Sequence, residues 1–266
     1  MNTKDIKKIY EQATETILDL YTHPDHVLII HYSCSSFHDK NEKSPRIISI
    51  AIRKLNSRQT ESYSIAYFAE LEKIYVDDIE SNYEFLEKKL LDKYFEFQET
   101  HKTFKWVHWN MKDINFGFKA LNHRYRVLGG KPNEIDDKNK YDLSKLLKDK
   151  YGDNYIDHPK FEKILDKNLL KSVLFLNGAE EAKYFETKHY MRVSQSTMCK
   201  VNDLENLLKY SAKDELKTNS KNFNKYGKTV QGITDAISEH WIVKVILLIA
   251  GVCGITGVIM GVLVFL

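Results

Sequence analysis

The chain has 266 residues with near-balanced charge, 40 Lys and Arg against 37 Asp and Glu. It therefore lacks the general positive excess that attracts polyanions, and any basic patch must be local. Its three cysteines, Cys34, Cys199 and Cys253, show no CxxC spacing, which argues against a disulfide framework or zinc site and fits a reducing cytosolic compartment.

Residues 1–21 set Ile6, Ile9, Tyr10, Ala13, Ile17 and Leu20 at helical spacing with charges between them. This predicts an amphipathic helix, not a signal peptide, because the apolar run is interrupted. Thr22–Asp25 reads as a turn and residues 26–37 (HVLIIHYSCSSF) as a buried strand with a polar outlet. After a charged loop, HDKNEKSP, Arg46–Lys54 and Thr60–Phe68 read as two more strands of an opening meander. Ser81 and Glu84 match a capping box that starts a helix through residues 83–99, with Phe85, Leu86, Leu90, Tyr94 and Phe97 on one face.

Thr103–Trp109 predicts a short strand. From about Asp113 a helix (INFGFKALNHRYRVL) runs to Gly129-Gly130, its C-cap, so that strand, turn and helix meet at Asn110–Asp113. Asp142 caps a helix (LSKLLKDKY) closed by Gly152, and Pro159 begins another (KFEKILDK). Gly178 introduces AEEAKYFETKHY, and Val201–Tyr210 predicts the last helix of the domain.

Residues 211–240 are lysine-rich and read as a juxtamembrane helix or linker, with Val230, Ile233, Ile237 and Trp241 as an apolar stripe. A solvated helix is the ordinary reading; a contact with anionic lipid, ~1 kcal/mol per lysine, requires the segment to lie along the membrane. Val245–Leu266 carries no charged residue, and its length as a helix, ~33 Å, matches a bilayer core of ~30 Å. A transmembrane helix is expected over 241–266. With lysines before it, the positive-inside rule places residues 1–210 in the cytoplasm, making a tail-anchored, single-pass membrane protein in contact with the lipid bilayer. Ala250, Gly254, Gly257 and Gly261 lay small residues along one side of that helix, a stripe suited to self-association.

Two stretches together resemble the DEDD 3′-to-5′ exonuclease superfamily, whose domain has the ribonuclease H-like fold. HVLIIHYSCSSF, charged loop, RIISIAIRK and TESYSIAYF resemble its opening strand, loop and next two strands. VHWNMKDINFGFKAL is similar to its second motif, a strand leading to an Asn and then an Asp that begins a helix, here Asn110 and Asp113; YDLSKLL resembles the segment that follows. The likeness covers roughly residues 26–150, and at its widest extends to 210. It implies an α/β fold, a ribonuclease H-like mixed sheet flanked by helices, to which the terminal stretch adds one transmembrane helix.

The chemistry implied by that family needs four acidic groups holding two divalent ions. At the first two positions stand His31 and Ser33, and the best-placed final acid, Asp203, lacks the family's preceding His or Tyr. Asp113 alone remains as a remnant catalytic residue, and it reads equally well as a helix N-cap. One carboxylate cannot hold a pair of hard cations, so no cofactor is expected, with Mg or Mn required only if the chain is an active nuclease. His31, His38, His108 and His123 match no metal-binding spacing; His108 and His123 read as structural hydrogen-bonders. Trp106, Trp109, Phe116 and Phe118 suit base stacking, though core packing is their ordinary role. Lys119, His123, Arg124 and Arg126 suggest a phosphate-binding face, for which a solvated helix face is the plain alternative.

These features point to a pseudoenzyme domain that binds nucleic acid or a cytosolic protein partner and controls an oligomerising membrane helix, as a bacterial defence effector would. The alternative is an active metal-dependent nuclease tethered to the membrane.

Overall fold

A computed structural model describes residues 3–35, 44–112 and 116–220. Helix α1 (Thr3–Thr22) packs Ala13, Ile17 and Leu20 inward. It leads into strand β1 (Val27–Cys34), which pairs antiparallel with β2 (Ile47–Lys54), itself antiparallel to β3 (Thr60–Ser64). β4 (Lys105–His108) and β5 (Lys140–Asp142) extend the sheet as parallel strands on the other side of β1, giving the order β3-β2-β1-β4-β5.

The hydrophobic run in β1 follows from this central place, because both faces of the strand are covered. Leu28, Ile30 and Tyr32 join Ile48, Ile50 and Ile52 in one core, roofed by α2 (Ile65–Leu71), α3 (Tyr83–Thr100) and α4 (Phe118–Val127). Ile29, Ala51 and Val107 form the opposite core with α1, α5 (Leu143–Tyr151), α6 (Lys160–Asn168) and α8 (Tyr190–Ala212). Short α7 (Gly178–Glu186) docks on α8.

Several elements differ from expectation for local reasons. The predicted strand over Thr60–Phe68 stops at Ser64, whose Oγ accepts a hydrogen bond from Tyr67 N at 3.1 Å and so starts α2. Serine in an extended conformation is a strong N-cap, and here it overrides the β-branched and aromatic residues around it. The Ser81–Glu84 capping box does not form: Ser81 Oγ donates to Asp78 O inside a run of 3-10 turns, and α3 begins at Tyr83. Helix α4 begins at Phe118, five residues after Asp113. Strand β5, three residues long, was not expected, and α8 starts at Tyr190 instead of Val201.

The fold class expected from the sequence needs correction. The architecture is α/β with a five-stranded mixed sheet flanked by helices. No described helix is long and apolar enough to cross a membrane. The expected transmembrane helix over 241–266, with Ala250, Gly254, Gly257 and Gly261, lies outside the described residues, as does the linker from residue 221 onward.

Candidate functional site

Alternation along β1 sends Ile29, His31 and Ser33 to the face covered by α8. Helix α8 crosses β1 and β2 and turns Ser196, Thr197 and Lys200 toward them, all buried. Glu181 arrives from α7, which is fixed at its start by a capping box between Asn177 and Glu180.

The four elements close a polar network at the carboxyl end of β1. Glu181 Oε1 accepts from Ser33 Oγ at 2.9 Å, Ser196 Oγ at 3.0 Å and Lys200 Nζ at 2.6 Å. Thr197 Oγ1 lies 2.8 Å from Ser33 Oγ and 2.5 Å from Ser49 Oγ, and donates to Val193 O at 3.0 Å. Ser33, Ser49 and Thr197 supply three hydroxyl protons for four contacts, counting the bond from Ser33 to Glu181. If Ser33 serves Glu181 and Thr197 serves Val193, the Ser33–Thr197 contact has no proton.

His31 lies beside this network, between Phe116 and Phe161 at ring distances of 6.1 and 6.2 Å. Burial, aided by the charge of Lys200, holds its imidazole well below the ordinary pKa and therefore neutral. Its Nδ1 has no hydrogen-bond partner among the described residues.

One strand over, the end of β4 carries a second polar group. Asp142 Oδ1 accepts from Asn110 N and Ser144 N, each at 3.0 Å, capping α5 as predicted. Its Oδ2 meets Lys112 Nζ at 2.5 Å. His108 Nδ1 accepts from Met111 N at 3.2 Å, and burial lowers its pKa to about 4. Gly117 closes the turn from the other side, donating its N–H to Tyr32 Oη at 3.0 Å.

The residues singled out in the sequence are dispersed. Asp113 lies outside the described residues. Lys119, His123 and Arg126 share the exposed side of α4, whereas Arg124 points inward and grips Glu87 through Nε at 2.9 Å and Nη2 at 2.6 Å. Trp106, Trp109 and Phe118 are buried in the two cores, and Phe116 stacks on Tyr32 at 4.5 Å. Asp203 is buried and accepts from Ser172 Oγ at 2.5 Å. Glu181 and Lys200 escaped sequence reasoning because they lie far from β1 in the chain and follow no motif. A groove of about 480 Å³ between α3 and α4 also belongs to the surface, with Arg46, Tyr83 and Arg124 among its walls. Arg46 there pairs with Glu80 at 2.7 Å and covers the Tyr83 ring.

The donor set at β1 does not fit a pair of divalent ions. A histidine and a serine face it, and the described carboxylate that reaches Ser33, Glu181, is already neutralised by an ammonium group. Hard cations require several anionic or carbonyl oxygens. Among the described residues no group of three or more His, Cys, Asp or Glu side chains is placed to hold a metal ion. Comparison with protein-family models, curated proteins and solved structures finds no match to this chain.

Proposed function

We propose that this domain is a non-catalytic recognition module, a degenerate relative of the DEDD exonucleases that binds single-stranded nucleic acid. The observation that carries this reading is the buried Lys200–Glu181 pair against Ser33. Where the resembled family places metal-binding carboxylates on its first strand, this chain places His31 and Ser33, and a lysine supplies the positive charge from within. The antiparallel meander β1–β3 followed by parallel β4 supports the resemblance.

The binding face is the exposed side of α4. Lys119, His123 and Arg126 follow one another at steps of four and three, which aligns them on one helical stripe. All three are exposed; among the described residues Arg126 pairs with Glu134 at 3.5 Å, and the charge of Lys119 helps to lower the Asp137 pKa. Arg124 is excluded from this face by Glu87 and acts on the fold instead.

The test is titration of short labelled single-stranded RNA and DNA into the full chain at low and near-physiological salt, with Mg or Mn present and absent. Binding is expected to weaken as salt rises. Replacing Lys119 and Arg126 by Ala should reduce the salt slope by ~1.4, since each phosphate contact on a single strand contributes ~0.7. Absence of binding at low salt overturns the nucleic-acid reading and leaves a protein partner. Metal-dependent cleavage by the purified chain overturns the non-catalytic one.

A further inference from the structure

Strand β3 ends the sheet: it pairs with β2 on one side, and no described strand lies beyond it on the other. The register says which backbone groups are left over. Lys54 N donates to Gln59 O at 2.9 Å, so 54 and 59 are a hydrogen-bonded pair, and from Arg53 and Thr60 onward unbonded and bonded pairs alternate. Glu61 and Tyr63 therefore exchange their N–H and C=O with Ile52 and Ile50, while those of Thr60 and Ser62, with the N–H of Ser64, point outward. Among the described residues no backbone bond takes up the outward groups of Thr60 or Ser62.

Sheet edges are ordinarily guarded by charge, proline or brevity, because a bare row of donors and acceptors is a template for another strand. The far edge follows that rule: β5 has three residues and begins with Lys140. The β3 edge does not. Its sequence, TESYS, holds no proline and no lysine, and its one charged side chain, Glu61, is answered by Lys54 Nζ at 3.5 Å. On α3, which packs against β3, Lys93 Nζ meets Glu96 Oε2 at 2.8 Å, so the charges of these four side chains balance. Tyr63 stands among them. Burial first, then the charges of Glu61 and Glu96, push its pKa up to about 12, so its hydroxyl stays protonated. That hydroxyl has no hydrogen-bond partner among the described residues.

We propose that β3 is a self-association edge, to which a second copy of this chain adds its own β3 antiparallel about a two-fold axis at Ser62. Axes at Glu61, Ser62 and Tyr63 all bring outward groups together, and the side chains choose among them. An axis at Glu61 sets two carboxylates directly opposite one another, which is destabilising. An axis at Tyr63 sets Glu61 against Ile65, where the chain has already left the strand for α2. An axis at Ser62 pairs Ser62 with Ser62 and Thr60 with Ser64, and sets Glu61 of each copy against Tyr63 of the other, a carboxylate beside a hydroxyl donor. The edge thus complements its own sequence read backwards, which names a second copy as the occupant and a closed two-fold pair as the product. Five paired residues cover less than the roughly 800 Å² that a stable dimer takes from each copy, so assembly depends on concentration. Tyr67, whose N–H bonds Ser64 Oγ at 3.1 Å and whose side chain is 46% exposed, extends the surface past the end of the strand. The inference does not rest on nucleic-acid binding by α4.

Sedimentation of the full chain in mild detergent over a range of protein concentrations tests it. Ser62→Pro is the comparison, because residues 245–266, free of charged side chains, can associate by themselves. The Ser62 N–H faces away from β2, so proline there removes an outward donor and leaves the β2–β3 ladder intact. The parent should form dimers, and Ser62→Pro, with unchanged circular dichroism, should weaken them about tenfold or more, since each dimer loses a hydrogen bond from either copy. Ser62→Cys gives a second readout. A hydrogen-bonded antiparallel pair holds its Cα atoms about 5.5 Å apart, within disulfide reach, so mild oxidation should join two copies at position 62. Glu61→Cys should not cross-link with itself but should do so when mixed with Tyr63→Cys. A parent that stays monomeric overturns the proposal, as does a Ser62→Pro chain that associates as tightly as the parent. Ser62→Cys that joins no more readily than the parent's own cysteines overturns it too, and so does cross-linking of Glu61→Cys with itself.

Discussion

Lys200 Nζ and Glu181 Oε1 meet at 2.6 Å with only 6% and 10% of their side chains exposed, so α7 and α8 are joined beneath the sheet by a charge pair almost sealed from water. Such a pair is costly to break from one side, because the surviving charge keeps its desolvation penalty and loses its partner. Lys200→Met leaves Glu181 with two hydroxyl donors and no countercharge, and should destabilise the chain by ~3–5 kcal/mol. Replacing Glu181 by Met as well removes the orphaned carboxylate and should recover most of the loss. Urea unfolding at neutral pH, followed by circular dichroism, measures both. A double variant no more stable than Lys200→Met would show that the pair is not the unit holding α7.

Arg124 and Arg126, two residues apart on α4, should behave oppositely. Arg124 makes a two-pronged bond to Glu87, whose carboxyl is wholly buried and also accepts from Ile47 N at 2.6 Å. Burial raises the Glu87 pKa, and the Arg124 guanidinium partly offsets this. Arg124→Ala should cost ~3–5 kcal/mol, and Arg126→Ala no more than ~0.5 kcal/mol. Thermal unfolding of the two single variants separates them. Comparable losses would contradict the inward placement of Arg124.

What the sequence discloses depends on how local the cause is. Helices α1, α3 and α5 carry apolar stripes and are readable from spacing, and Asp142 caps α5 through its own side chain as its type suggests. The first half of α8 hides because Ser194, Ser196, Thr197 and Lys200 occupy its buried face, breaking the apolar periodicity that signals a helix. Strand β5 has only Lys140, Tyr141 and Asp142 and exists because β4 offers an open edge. The site shows the same division. His31 and Ser33 stand out as departures from a familiar strand pattern, but Ser33 meets Glu181 across 148 residues of chain. Nothing near Ser33 in sequence names that partner.

Gly117 is required by contact, not by its backbone angles, since its φ of 164° is ordinary extended geometry. A Cβ there would sit 2.7 Å from both the carbonyl carbon and oxygen of Met111, which are backbone atoms that cannot swing aside. Gly117→Ala should therefore shift the turn and weaken the bond from Gly117 N to Tyr32 Oη, costing ~1–3 kcal/mol as overpacked sites do. Tyr32→Phe, which removes only the hydroxyl, should cost ~1 kcal/mol. Denaturant midpoints of the two variants and their combination test the link. Exact additivity would mean that the glycine and the tyrosine hydroxyl act independently.

Acid stability is set by opposed titrations in one pH window. Burial raises Asp203 from 3.8 to about 6 despite its bonds from Ser172, and lowers His108 from 6.5 to about 4; His31 also falls well below 6.5. For the raised carboxyl, the folded chain keeps a proton that the unfolded chain sheds, so its contribution to stability declines as pH rises from about 4 to about 6. For His108 the unfolded chain takes up the proton first, so stability present above about pH 6.5 is lost as pH falls toward about 4, and His31 acts in the same direction. For Asp203 and His108 the displacement corresponds to ~3 kcal/mol apiece. His31 and His108 favour a loss of stability on acidification between about pH 6.5 and 4.5, and Asp203 and Glu87, both raised by burial, oppose it. Asp203→Asn removes one of the opposing slopes and should steepen that loss, whereas His108→Gln should flatten it. Urea midpoints across this range for the parent and both variants decide the matter. Parallel curves for all three would show that neither group titrates differently in the folded and unfolded chains.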